Sequence, residues 1–314
     1  MVLSRLCTGN IFFISCEVLK EKKMEKLTRR NFLGKSLAVG AVLGGTTLTR
    51  SPTVMAALRT SKDDISLQEW ALVDEIREGK WTTLDFARIA REDFGINGIE
   101  FVNTLFDVPI YNYLKQLKKN ADDYGVEMLL IMCDGEGEMA SSSEKERMQA
   151  VINHHKWIDI AHYLGCHSIR TNCYGPKDAS KEELLNWAEE SYNKLLEYAV
   201  QARVGVLIEN HGGVSNDADF LVALMKRVNN LYFGMLPDFR GPSAEFDNYG
   251  FLEKVLPYAS ALSVRTQPTE EGLVRLIKLC RDSGYKGYYG IESSGRDAIK
   301  ETKRVLERVL FGKA

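Results

Sequence analysis

Residues 204–213 read VGVLIENHGG: an apolar run delivers an acid, an amide and an imidazole, Glu209, Asn210 and His211, to one place. Two further stretches have the same form. GMLPD ends an apolar run on Asp238, and GYYGIE ends one on Glu292. Carboxylate oxygens are hard ligands suited to Mg2+ or Mn2+. A pair of carboxylates can also take a proton from carbon and return it. Three acids in one place repel one another unless a cation joins them, and otherwise one of them takes up a proton.

Something must bring these ends together. Short apolar runs recur at ISLQEW, GINGIEFVN, VEMLLIMC, HSIRTN, VGVLIEN, LYFGMLPD, SALSVRT and YKGYYGIE. Between them lie helical patterns at 83–92, 110–123, 143–164, 181–201, 217–228, 249–256, 270–283 and 296–310. In the fourth, Leu184, Leu185, Ala188, Tyr192, Leu195 and Ala199 recur at helical spacing. Glycines in YGVE, LGCHS, VGVLIE and SGYKGYYG mark turns from helix to strand. Strict βα alternation predicts a parallel sheet, and eight units in about 250 residues match a single-domain α/β (β/α)8 barrel. No GxGxxG follows the first strand, which argues against a doubly wound dinucleotide-binding sheet.

Chemistry in such barrels sits at the C-terminal strand ends. In order, these ends supply Gln68 and Glu69; Glu100 and Asn103; Asp134 and Glu136; Arg170 and Asn172; Glu209, Asn210 and His211; Asp238; Ser263, Arg265 and Gln267; and Glu292. Polar groups thus converge from almost every strand on one mouth, where buried charge is costly unless paired or metal-bound. His154 and His155 lie about 18 Å down the helix that starts near Ser143, His162 further still, and His167 at the opposite barrel end. All four read as structural. Cys133, Cys166 and Cys173 read as small buried hydrophobes.

VLIENHGG, GMLPDF and GYYGIE resemble the sugar phosphate isomerase/epimerase group of the xylose-isomerase-like barrel superfamily. DFGINGIEFVN, LLIMCDGEGEMA and WIDIAHYLGCHSIRTN support the likeness over most of 65–310. The resemblance implies one divalent ion, Mn2+ or Mg2+, held by Glu209, Asp238 and Glu292. It implies that Glu209 and Glu292 also pass a proton between carbons of a bound sugar, with the ion stabilising the enediolate. The strand-seven histidine of the family is replaced by Ser263 and the lysine after it by Arg265. The histidine expected three residues after Asp238 is Gly241. His211 or water then completes the ligand set, or ion affinity is weak. Glu100, Arg170, Asn172, His211 and Arg265 are the candidate contacts to substrate hydroxyls.

The resulting expectation is a sugar isomerase or epimerase. The alternatives are a lyase or hydrolase of oxidised keto-glycosides, and a degenerate non-catalytic sugar-binding barrel. The superfamily's apurinic endonucleases need a histidine-rich zinc site, whereas only His211 of the five histidines reaches the mouth. A net charge of -2 gives no electrostatic footprint for nucleic acid. Six cysteines without CxxC spacing signal neither a zinc cage nor a disulfide scaffold.

Residues 1–57 differ in character from the barrel region at 58–314. Arg29 and Arg30 precede a Gly/Ala-rich apolar run at 37–48, and TVMAA offers a cleavage position after Ala56. This resembles a twin-arginine export signal, read by the export machinery and too short for a stable membrane anchor. It implies a periplasmic or extracellular bacterial protein. Met24 is an alternative start.

Overall fold

The computed structural model describes residues 63–241 and 246–313. Eight parallel strands alternate with helices among these residues. The strands are β1 (Asp64–Gln68), β2 (Gly98–Val102), β3 (Glu127–Met132), β4 (Ser168–Thr171), β5 (Gly205–Glu209), β6 (Phe233–Leu236), β7 (Leu262–Val264) and β8 (Tyr288–Ile291). The helices are α1 (Phe86–Phe94), α2 (Tyr111–Tyr124), α3 (Glu144–Leu164), α4 (Lys181–Ala202), α5 (Ala218–Val228), α6 (Asn248–Val255), α7 (Glu270–Asp282) and α8 (Arg296–Phe311). A five-residue helix, Val73–Arg77, precedes α1.

Each strand pairs with its sequence neighbours except β6 with β7, and β1 also pairs with β8. The ring closes between β6 and β7 through isolated bridges, Met235 to Ala259 and Asp238 to Ser263. The expected (β/α)8 barrel is therefore the fold. The export stretch, with Arg29, Arg30 and Ala56, lies outside the described residues. No helix among the described residues is long and apolar enough to cross a membrane.

Local chemistry explains the helix boundaries. Ser143 caps α3 by accepting from the Glu146 N–H, and Ser180 with Glu183 forms a capping box on α4. Asp217 accepts from the Asp219 and Phe220 N–H groups at the start of α5. Gly95, Gly125 and Gly165 take left-handed φ where α1, α2 and α3 end. After α4 this role falls to Arg203 at φ 59, so the glycine expected to make that turn, Gly205, instead opens β5. A Cβ at Gly205 would lie 2.5 Å from Ser168 Oγ, which explains the glycine there.

Two apolar cores result. The larger lies between sheet and helices and is built from outward strand residues such as Leu67, Ile99, Ile131, Ile169, Val206 and Ile208. The smaller lies inside the barrel and joins Val102, Leu130, Met132, Leu207, Leu236 and Ala261. The rest of the interior is polar: Ser66, Gln68, Glu100, Ser263 and Glu292 are all buried there. Cys133, Cys166 and Cys173 are buried free thiols, as expected.

Candidate active site

Glu209, Asp238 and Glu292 meet. One carboxylate oxygen from each lies within 4.8 Å of the others, and all three residues are buried. Alternation along β5 explains the first: Val206 and Ile208 face the helices while Leu207 and Glu209 face inward. Asn210 then turns back. Its side-chain amide donates to Asp238 O at 3.0 Å, and its Oδ1 accepts from the Asp238 N–H at 2.7 Å. Asn103 clips the backbone of Asp134 in the same way, at 2.9 and 2.8 Å. These amides thus replace ladder hydrogen bonds beyond the strand ends and fix the acids that follow.

Two arginines wedge between the acids. Arg170 Nη1 lies 2.6 Å from Asp134 Oδ1, and its Nε lies 2.8 Å from Glu209 Oε2. The second contact lacks hydrogen-bond alignment, so both atoms remain without a hydrogen-bond partner. Asn172 donates to Asp134 Oδ1 at 2.7 Å. Arg265 spans two acids, with Nε 2.8 Å from Asp238 Oδ1 and Nη2 2.6 Å from Glu292 Oε1. Arg240 stands 3.6 Å from Asp238 Oδ2.

Burial raises Glu209 to about 7 against the attraction of Arg170. Burial, then repulsion from Glu209 and Asp238, raises Glu292 to about 8. Asp238 is also raised, by burial first. Asp134 is lowered: burial opposes this, but the charge and hydrogen bond of Arg170 outweigh it. Burial, then Arg170, pushes His211 down to about 4.

His211 is not one of the three clustered ligands. Its Nδ1 is 2.7 Å from Tyr174 Oη, and its backbone N–H donates to Ser215 Oγ. Glu100, expected among the substrate contacts, lies within the barrel wall. It accepts from Ser66 Oγ at 2.5 Å and from Gln68 Nε2 at 2.9 Å, and it is fully buried. Ser263 Oγ lies 2.5 Å from Glu292 Oε2 and 3.2 Å from Gln68 Oε1, which places residue 263 directly beside the acidic triad. Tyr174, Arg240 and Ser66 did not emerge from the sequence as groups of the mouth, whereas Gln68 did. The i, i+2 spacing of Ser66 and Gln68 on an inward strand face was the available signal; Tyr174, in the segment after β4, carried none. His154 bonds the Ala150 carbonyl through Nδ1 and His155 stacks on Tyr198, both structural as expected.

The donor set fits a hard divalent cation. It offers three carboxylates and no soft ligand, and Asp238 Oδ2 is buried without a hydrogen-bond partner. Three guanidiniums, Arg170, Arg265 and the more distant Arg240, face four acids, Asp134, Glu209, Asp238 and Glu292.

Residues 87–309 match the xylose isomerase-like TIM barrel family, and the chain belongs to it. Compared by sequence with curated proteins, the chain finds no match. Solved structures share the fold. A D-tagatose 3-epimerase-like protein aligns at TM-score 0.61 and 16% identity, over 79% of this chain and 97% of that one. The 3-keto-D-glucoside 4-epimerase of E. coli aligns at TM-score 0.60 and 12% identity, over 80% and 99%. The IOLI protein with a bound zinc atom aligns at TM-score 0.63 and 12% identity, over 79% and 98%.

Proposed function

We propose that the protein is an isomerase or epimerase of a sugar or keto-sugar, moving a proton on a carbon next to a carbonyl. The observation that carries this reading is the convergence of buried Glu209, Asp238 and Glu292 within 4.8 Å. Burial raises both Glu209 and Glu292 in the metal-free protein; an ion on both would displace those protons and leave carboxylates able to take one from carbon. A divalent ion, Mn2+ or Mg2+, held by the three acids would polarise the substrate carbonyl. Glu209 ends β5 and Glu292 follows directly on β8, strands three steps apart around the ring. They can therefore address a bound sugar from different sides, one taking the proton and the other returning it. Arg170, Asn172 and Arg265 border the acids and are placed to orient hydroxyls. His211, neutral and tied to Tyr174 through Nδ1, offers its second nitrogen to the same task.

The test is to load purified protein with Mn2+ or Mg2+ and screen ketoses and keto-glycosides for stereochemical change. Isomerised or epimerised product is expected. No turnover, together with no ion uptake by elemental analysis, would contradict the reading. Elimination or hydrolysis of a keto-glycoside starts from the same proton abstraction. The fold likeness to the E. coli 3-keto-D-glucoside 4-epimerase brings that substrate class into view, and cleaved product would identify that outcome.

The twin-arginine stretch supports export as a folded protein. The double substitution Arg29→Lys with Arg30→Lys is expected to retain the protein in the cytoplasm. Unchanged export on cell fractionation would contradict it.

A further inference from the structure

Arg265 occupies an unusual position among the charged groups of the mouth. Its planar fork engages Asp238 Oδ1 and Glu292 Oε1 together, at 2.8 and 2.6 Å. These are two of the three carboxylates that converge as a ligand set. The other Glu292 oxygen takes the Ser263 hydroxyl at 2.5 Å, so both Glu292 oxygens already have a donor.

The two arginines of the site are not equivalent. Arg170 has a side chain only 4% exposed and is held by Asp134, Asn172 and the Cys133 carbonyl. The side chain of Arg265 is 23% exposed. Its main chain is nevertheless fixed: Val264 is the last residue of β7, and the Thr266 N–H donates to Ser293 Oγ at 2.9 Å. Any displacement of the guanidinium is therefore a rotation of its long stem toward solvent, which arginine makes readily.

We propose that Arg265 is an internal counter-cation that competes with a divalent ion for Asp238 and Glu292. This rests on the metal-assisted reading of the site. An ion and a guanidinium on the same oxygens would place like charges a few ångströms apart in a buried setting, where their repulsion is weakly screened. Asp238 Oδ2 stays open to an ion, but both Glu292 oxygens are taken, so an ion that also uses Glu292 requires Arg265 to give that carboxylate up. In the ion-free protein the same contact offsets the charge of Asp238 and gives Glu292 a donor, at the cost of ion affinity.

Groups beside a metal's ligands tune affinity by on the order of 10–100-fold. Mn2+ titration of the full chain, followed by electron paramagnetic resonance, reads the effect directly. Arg265→Gln removes the competing charge and is expected to bind Mn2+ on the order of 10–100-fold more tightly than wild type. Its thermal midpoint should be lower without ion and should rise further on saturation with Mn2+. Arg265→Lys keeps the charge but cannot bridge two carboxylates, and its affinity should fall between the two; this variant decides the matter if Arg265→Gln does not fold. Affinity of the folded variant equal to or weaker than wild type, or no uptake in any of these proteins, overturns the proposal. The titration uses no substrate. A Mn2+-loaded wild type that turns over no sugar, with the affinity order intact, would sink the isomerase reading alone.

Discussion

The chemistry of the mouth depends on how individual side chains are partnered. Glu209 and Glu292 are both buried acids, yet Glu209 faces Arg170 while Glu292 is shared between Arg265 and Ser263. Ser263 stands where the family resemblance places a histidine, and its contact with Glu292 confirms that this position borders the triad. Ser263→His is therefore expected to tighten Mn2+ binding, because imidazole is a better ligand than a neutral hydroxyl. Isothermal titration checks this, and an unchanged affinity would show that residue 263 cannot reach the ion. Glu209, Asp238 and Glu292 were legible in the sequence because each ends an apolar run, which is a local pattern. The bridging of Asp238 and Glu292 by Arg265, the contact of Arg240 with Asp238 and the Tyr174–His211 pair were not legible. They join separate strand ends, and no spacing along the chain encodes which side chains meet across a barrel mouth.

At the scale of elements, strand register does the positioning. Ser66 of β1 pairs with Gly290 of β8, and Ser263 of β7 pairs with the same glycine. A Cβ at Gly290 would lie 2.6 Å from Glu100 Oε1 and 2.9 Å from Gln68 Nε2. The glycine thus leaves room for the polar layer beneath Glu292. Gly290→Ala should cost about 1–3 kcal/mol, the usual range for overpacking an interior. A denaturant midpoint equal to wild type would show that the layer yields without strain. Helix and strand order was readable from alternation and from glycines such as Gly125 and Gly165. The α4 turn was not, because Arg203 adopts the left-handed conformation without being glycine. The strands are also shorter than the apolar runs that announced them: Trp70 belongs to the 3-10 turn Glu69–Leu72, not to β1.

For the molecule as a whole, the buried acids set a pH dependence of stability. Folded Glu69, Glu100 and Glu209 are raised to about 7 and Glu292 to about 8, in each case by burial first, from 4.5. Above 4.5 the unfolded chain releases these protons while the folded protein keeps them, so folding is favoured at low pH and weakened as pH rises through the folded values. Buried histidines act the other way: His154, His167 and His211 are pushed below 6.5 by burial, and their effect is confined to pH below that value. From about 6.5 to about 8 the acids therefore prevail. The thermal midpoint of metal-free protein should fall across this range, and Mn2+ should reduce the fall by replacing the protons on Glu209 and Glu292. A flat or rising midpoint without metal would contradict these proton assignments.

Solvent deuterium incorporation at carbon, followed by NMR on the sugar that the enzyme turns over, tests the central claim most directly. Wild-type protein loaded with Mg2+ should exchange the carbon-bound proton next to the carbonyl. Glu209→Gln and Glu292→Gln, near-isosteric changes at the mouth, should each slow that exchange by about 10²–10⁴-fold while leaving the circular dichroism spectrum unchanged. Exchange at the wild-type rate in both variants would mean that neither glutamate carries the proton.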